Sequence, residues 1–265
     1  MLGKLLKYDL KWNYTVLVVF YILAIVFSIL GRTLTEIENS FVLNIIGKIL
    51  SGTAITMIIN ILINNVVRVW GRFIRNMYKD ESYLTHTLPV KKGTIYLSKI
   101  LSAVISMFTS TVIIIICVAI CYYSKENIEA LKRVVEFMAN EYNSTVVNFI
   151  MTIAIVLFLE ILFLLFAGYI GIIFGHKSNN LKTAKSVIIG FLAFMIPSII
   201  TILILFIIGL FNGDVMELFY TINEFKPSID AIKFILHCGI VMYVAYILIY
   251  YYIGKKQLEK GVNVD

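Results

Sequence analysis

VVNFIMTIAIVLFLEILFLLFAGYIGIIF, residues 146–174, carries a single charged side chain, Glu160. A helix needs about 20 apolar residues to cross the roughly 30 Å hydrocarbon core of a bilayer, and this stretch exceeds that length. Ordinary strands stop at about 4–8 residues, so the run reads as a membrane-spanning helix. Five further stretches follow the same pattern: residues 16–30, 43–67, 100–122, 187–211 and 229–253. The first is the shortest, and Tyr14 and Gly31 extend it. Lysines precede it, as in a signal peptide, but no small-x-small cleavage site follows, so it is predicted to be retained. Composition agrees. The 265 residues are 60% hydrophobic and only 15% charged, where a soluble domain has about 25% charged residues. Too few charges are present to cover that much apolar surface, which excludes a water-soluble core. Only 3 Pro and 15 Gly occur, which excludes collagen-like and Pro-rich disordered chains. The expected fold class is an all-α integral membrane protein with six transmembrane helices, forming a single domain over residues 1–265.

The net charge of +7 admits nucleic acid as a partner, but the charges fall between the apolar runs. Sixteen Lys and Arg lie in the N-terminus, the second loop, the fourth loop and the C-terminus, and seven lie on the other side. Cytoplasmic loops are the Lys- and Arg-rich ones, so both termini are expected in the cytoplasm, and no nucleic-acid partner is. The outer loops are small. Residues 126–141 have the pattern of a short charged helix, and residues 212–228 hold Gly213, Pro227 and three acids beside Lys226. Asn143-Ser144-Thr145 is an outer-side glycosylation sequon of a kind that often arises by chance. Cys117, Cys121 and Cys238 all sit inside apolar runs, and their odd number gives no disulfide framework. His237 adjoins Cys238, yet no CxxC spacing occurs, so the cysteines read as small packing residues and no metal site is expected.

Residues 1–14 form an amphipathic helical pattern. Leu2, Leu5, Leu6, Leu10 and Trp12 share one arc, and Lys4, Lys7 and Lys11 share the opposite one. The pattern suits a helix lying in the membrane interface, its lysines meeting lipid phosphates. Asp9 disagrees, because it stands in the middle of the apolar arc. A carboxylate pressed into lipid is costly. Either the arc docks on protein, beside an arginine, or the helix is a plain anchor that frays near Asp9.

The second span continues beyond the membrane as a helix. Arg68, Arg72, Arg75 and Lys79 lie on one face, and Val69, Phe73 and Met77 make an adjacent apolar ridge. Asp80 or Ser82 can then cap a short helix. Pro89 disfavours helical geometry at Leu88 and ends it. Lys91-Lys92-Gly93 turns the chain, and Thr94 can cap the third span. This unit over residues 72–93 is too compact for catalysis and well shaped as a knob for another protein. The bland alternative is an ordinary basic loop.

Within it, FIRNMYKDESYLTHTLPV (residues 73–90), followed by IYLSKI (residues 95–100), resembles bacterial ABC-2 type transporter permeases. The acidic-x-Tyr-Leu-Thr-x-Thr-Leu-Pro-Val run and the Ser98-Lys99 pair carry the likeness, and six spans with inside termini extend it over the chain. The resemblance implies the membrane subunit of an exporter in the bacterial plasma membrane. Two permease chains, identical or different, would form the pathway. Two copies of a separate ATPase, holding ATP and Mg, would bind below. The element after span two would be the coupling helix, carried here by residues 75–88: Arg75, Tyr78, Asp80, Glu81, Tyr83, Leu84, Thr85 and Leu88. The implied cargo is an amphipathic peptide, such as an antimicrobial peptide, or a lipophilic small molecule. This chain itself shows no catalytic residues and no cofactor site. A Walker A loop needs Gly-x4-Gly-Lys-Ser/Thr, whereas Gly47-Lys48 is followed by Ile49 and Gly254-Lys255 by Lys256.

Polar residues inside the spans complete the candidates. Thr56, Asn60 and Asn64 recur every four residues on span two, with Asn65 beside them. They suit a pathway, a subunit seam, or hydrogen-bond glue between helices. Glu160 lies near the centre of span four, where a carboxylate is paired, protonated or beside water. Thr56 or Asn60 stands at a depth to bond it. Ala167, Gly171 and Gly175 form a small-residue ridge for close packing, within the chain or across a dimer. Pro197 removes a backbone donor from span five and is expected to kink it, with or without a hinge. Two rival functions stay open: an ion-coupled secondary carrier using Glu160, and a non-transporting membrane scaffold or sensor subunit.

Overall fold

The computed structural model describes residues 1–37, 40–220 and 229–262. Lys226 and Pro227 lie outside them. The described chain is helical throughout and holds no strand: α1 (Leu2–Thr35), α2 (Phe41–Met77), α3 (Ser82–Thr87), α4 (Lys92–Tyr122), α5 (Lys125–Glu141), α6 (Val146–Gly175), α7 (Lys182–Gly209), α8 (Gly213–Tyr220) and α9 (Ile229–Lys260). Six of these, α1, α2, α4, α6, α7 and α9, are long and apolar enough to cross a membrane. They coincide with the six apolar stretches, as a multi-pass membrane protein requires.

Three boundaries differ from expectation. No separate interfacial helix precedes the first span, because α1 runs unbroken from Leu2 to Thr35. Its buried face explains this. Asp9, Asn13, Leu17, Tyr21, Ala24, Ser28 and Gly31 follow one another at steps of three and four, so one protein-facing stripe runs the length of the helix. Thr94 does not cap α4, which begins two residues earlier at Lys92. The eight-residue α8 was not legible in the apolar pattern.

The chain forms two compact units, Met1–Ile128 and Glu129–Asn263. In unit one, α1 packs along α2 and α4 around Leu17, Tyr21, Ala24, Ile61 and Cys117. A Cβ on Gly31 would lie 2.6 Å from Ser51 Oγ, so α1 and α2 approach too closely there for any larger residue. Mid-helix, Asn65 Nδ2 donates to Ser106 O (2.8 Å) and Ser110 Oγ (2.6 Å) of α4, and the Ser106 hydroxyl donates to Asn65 Oδ1 (3.1 Å). Tyr21 joins this cluster through Ser110 at 2.7 Å. The interhelical glue is therefore Asn65. Thr56, Asn60 and Asn64 instead donate to carbonyls of their own helix, those of Gly52, Thr56 and Asn60.

In unit two, α6 packs on α7 and α9. The small-residue ridge is used within the chain: a Cβ on Gly171 would lie 2.5 Å from Ser186 O and 2.6 Å from Gly190 Cα of α7. Phe163 of α6 gathers Phe194 (5.4 Å between ring centres), Tyr243 (5.7 Å), Tyr246 (5.7 Å) and Tyr250 (5.9 Å). Pro197 sits inside an α7 that continues through it. Proline has no N–H for the carbonyl four residues back, which is that of Ala193. Tyr250 of α9 supplies the missing donor, its hydroxyl bonding Ala193 O at 2.5 Å. One turn earlier on α9, Tyr246 donates to Pro197 O at 3.1 Å and lies 3.0 Å from Thr201 Oγ1.

Candidate functional site

At one end of unit one, the start of α1, the end of α2, the start of α3 and the start of α4 are fastened together by charge. Asp9 of α1 is only 2% exposed. Burial of a carboxylate demands donors, and three are present. Lys99 Nζ donates to Oδ1 at 2.5 Å, Arg72 Nε to the same oxygen at 3.3 Å, and the Ser98 hydroxyl to Oδ2 at 3.0 Å. Lys99 also reaches Asn76 Oδ1, and the Asn76 amide turns to Glu81 Oε2. Arg72 Nη1 donates to Glu81 Oε2 at 2.7 Å, and Arg75 Nε pairs with Glu81 Oε1 at 3.0 Å. The result is one continuous polar chain, from Asp9 through Lys99, Asn76 and Arg72 to Glu81. Of the two expectations for Asp9, docking on protein beside an arginine is the one found.

The helical arc that carries Asp9 is held by a second arginine. The Arg68 guanidinium lies 4.1 Å from the centre of the Trp12 ring, and its Nη2 donates to Trp12 O at 2.5 Å. Arg72 approaches the same ring at 5.3 Å. Arg68, Arg72 and Lys99 thus bind protein groups, although a count of loop charges treats them as solvated.

Glu81 is where the latch meets α3. It occupies the N-cap position, but no side-chain cap is made, since its carboxylate is committed to Arg72, Arg75 and Asn76. Asp80 and Ser82, the expected caps, do not serve. Asp80 is exposed and Ser82 is buried. Thr85 faces inward, its hydroxyl donating to Glu81 O at 2.8 Å. His86 Nε2 donates to Met77 O at 3.1 Å and ties the end of α3 to the end of α2. Leu88 is extended, with ψ of 136°, as a residue before proline should be.

The candidate coupling residues therefore divide. Tyr78, Glu81 and Thr85 face the protein. Tyr78 packs edge-on against Phe73 at 6.2 Å, and burial pushes its phenol well above the usual tyrosine range, so it serves as a neutral ring. Tyr83, Leu84 and Leu88 face outward, 68%, 73% and 42% exposed, with Asp80 and Arg75 at the edge. The short helix is thus fastened by ion pairs on one side and exposes apolar side chains on the other.

Among the seam or pathway candidates, Thr56 is exposed and Asn60 and Asn64 are half-buried. Pro197 is buried and braced by α9. Glu160 is exposed on α6 and makes no hydrogen bond or ion pair among the described residues, so neither the paired nor the hydrogen-bonded state expected for it is found. Sequence reading missed Asn76 and the buried role of Lys99. The clue available was Asp9 itself, which required more than one partner. No family model matches this chain, and no curated protein or solved structure matches it either.

Proposed function

We propose that this chain is the membrane-spanning subunit of an ATP-driven exporter of the ABC-2 type, and that α3 is the element a separate ATPase grips. The observation that carries this reading is the two-sided character of α3. Tyr83, Leu84 and Leu88 offer an apolar surface to a partner, while Glu81 binds the same six-residue helix to α2 and, through Asn76, Lys99 and Asp9, to α4 and α1. A partner that moves α3 moves three long helices with it. Both termini face the cytoplasm of a bacterial plasma membrane, and a second permease chain meets the face of α2 that carries Thr56, Asn60 and Asn64. ATP and Mg reside on the two ATPase copies. The cargo is an amphipathic peptide or a lipophilic small molecule.

The test is site-specific photocrosslinking in native membranes, with benzoylphenylalanine in place of Tyr83 or, as a control, of Ile199. The expected product is a crosslink from position 83 alone to a protein bearing a Walker A peptide. Crosslinks only to proteins without a nucleotide-binding loop would overturn the reading. The unpaired Glu160 favours one rival, a carrier coupled to an ion gradient. Gradient-driven flux by the purified chain alone in vesicles would establish that rival instead.

A further inference from the structure

Unit two contains a cavity of about 280 Å³ between α6, α7 and α9. Its walls are mainly apolar, and Phe163, Tyr243 and Tyr246 bring aromatic rings to it. The hydroxyls of Ser198 and Thr201 are already committed to Phe194 O and Pro197 O, both at 2.9 Å, and that of Tyr246 to Pro197 O. The Tyr243 hydroxyl makes no hydrogen bond among the described residues. Val156 and Phe163 line the cavity from α6; Glu160 is not itself a wall residue, but it falls on the same side of that helix, one turn after Val156. It is within electrostatic reach of Tyr243. α6 contains no Lys or Arg, α7 has them only in its first turn, Lys233 near the start of α9 lies over the Tyr142 ring, and Lys255, Lys256 and Lys260 stand at the opposite end of α9.

A carboxylate at mid-span with no protein cation draws a positive charge from elsewhere. A hydrated metal ion does not suit these walls, because Ca²⁺ and Mg²⁺ demand several oxygen ligands, and the hydroxyls of Ser198, Thr201 and Tyr246 are already committed to carbonyls, which leaves only that of Tyr243. Aromatic faces beside a carboxylate suit a weakly hydrated organic cation, and the apolar wall suits its hydrocarbon arm. We infer that the α6–α7–α9 cavity binds an alkylated ammonium amphiphile, with the cationic head between Glu160 and the Tyr243 ring and the apolar arm in the cavity. Joined to the export reading, on which its physiological role rests, this makes the cargo a lipophilic cation.

The experiment uses calorimetric titration of the full chain in lipid nanodiscs, with benzyltrimethylammonium as probe, its uncharged isostere neopentylbenzene as control, and empty nanodiscs subtracted. No ATPase is present, so failure here leaves the coupling reading standing. Saturable binding of the cation and not of the isostere is expected. Glu160→Gln should weaken it about tenfold or more, ~1.4 kcal/mol or above, and Glu160→Asp should restore most of it. Gly239→Leu should abolish binding by filling the cavity; Gly239 lines it, and a Cβ added there meets nothing within 4 Å. Absence of saturable binding would overturn the inference. So would equal binding of the isostere, or unchanged affinity in either Glu160→Gln or Gly239→Leu.

Discussion

Stripping water from the Asp9 carboxylate is repaid only while Lys99, Arg72 and Ser98 keep their places around it. Removing one partner of a buried ion pair costs about 3–5 kcal/mol, because the other charge is left without compensation, whereas replacing both by apolar residues is far milder. Asp9→Leu and Lys99→Met should therefore each lower the unfolding free energy by about 3–5 kcal/mol. The double variant should recover most of that loss. Denaturant unfolding in mild detergent micelles measures the cycle, and a double variant as unstable as the sum of the singles would refute the pairing. Asp9 was legible because an acid inside an apolar arc has no other comfortable explanation. Lys99 was not, since a lysine at a span boundary satisfies the positive-inside bias just as well when it points to water. Position in sequence cannot separate those cases; only the register of α4 against α1 does.

α7 and α9 show the same point for whole elements. That Pro197 leaves a carbonyl orphaned is written in the sequence, and so is the identity of that carbonyl, Ala193 O. Which side chain covers it is not, because the donor is 57 residues further on, on another helix, and depends on how the two helices align. The bond has a measurable signature. Tyr250→Phe should cost about 1–3 kcal/mol in the natural background, the penalty of an unsatisfied buried acceptor. In a Pro197→Ala background the helix regains its own N–H, and the same change should cost much less. Equal costs in both backgrounds, read from thermal unfolding monitored by circular dichroism, would show that Tyr250 acts by packing alone. Tyr246 and Tyr250, one turn apart, face carbonyls that are also one turn apart. Pro197, read from the sequence as a kink with or without a hinge, is thus braced by two tyrosines of α9.

For the molecule as a whole, the six spans were legible because a lipid solvent imposes a length and a composition on each, and neither depends on partners. The layout of α1 was not. Its first turns read equally well as a surface anchor, and the choice was made by a tertiary contact at Asp9. Side placement is open to direct measurement in a background with Cys117, Cys121 and Cys238 replaced by Ala. A cysteine at Tyr83 or at Lys4 should react with an impermeant maleimide only in inside-out vesicles, and one at Leu131 of α5 only in right-side-out vesicles. Labelling of Tyr83→Cys and Lys4→Cys from opposite sides would contradict the latch geometry itself. The unbroken course of α1 has a mechanical corollary. At about 1.5 Å per residue, its 34 residues span roughly 50 Å, from the ion pairs at one end to the Gly31–Ser51 contact near the other. With no joint along it to absorb strain, α1 is built as a stiff strut, and under the proposed coupling a push delivered at α3 would reach its far end as displacement.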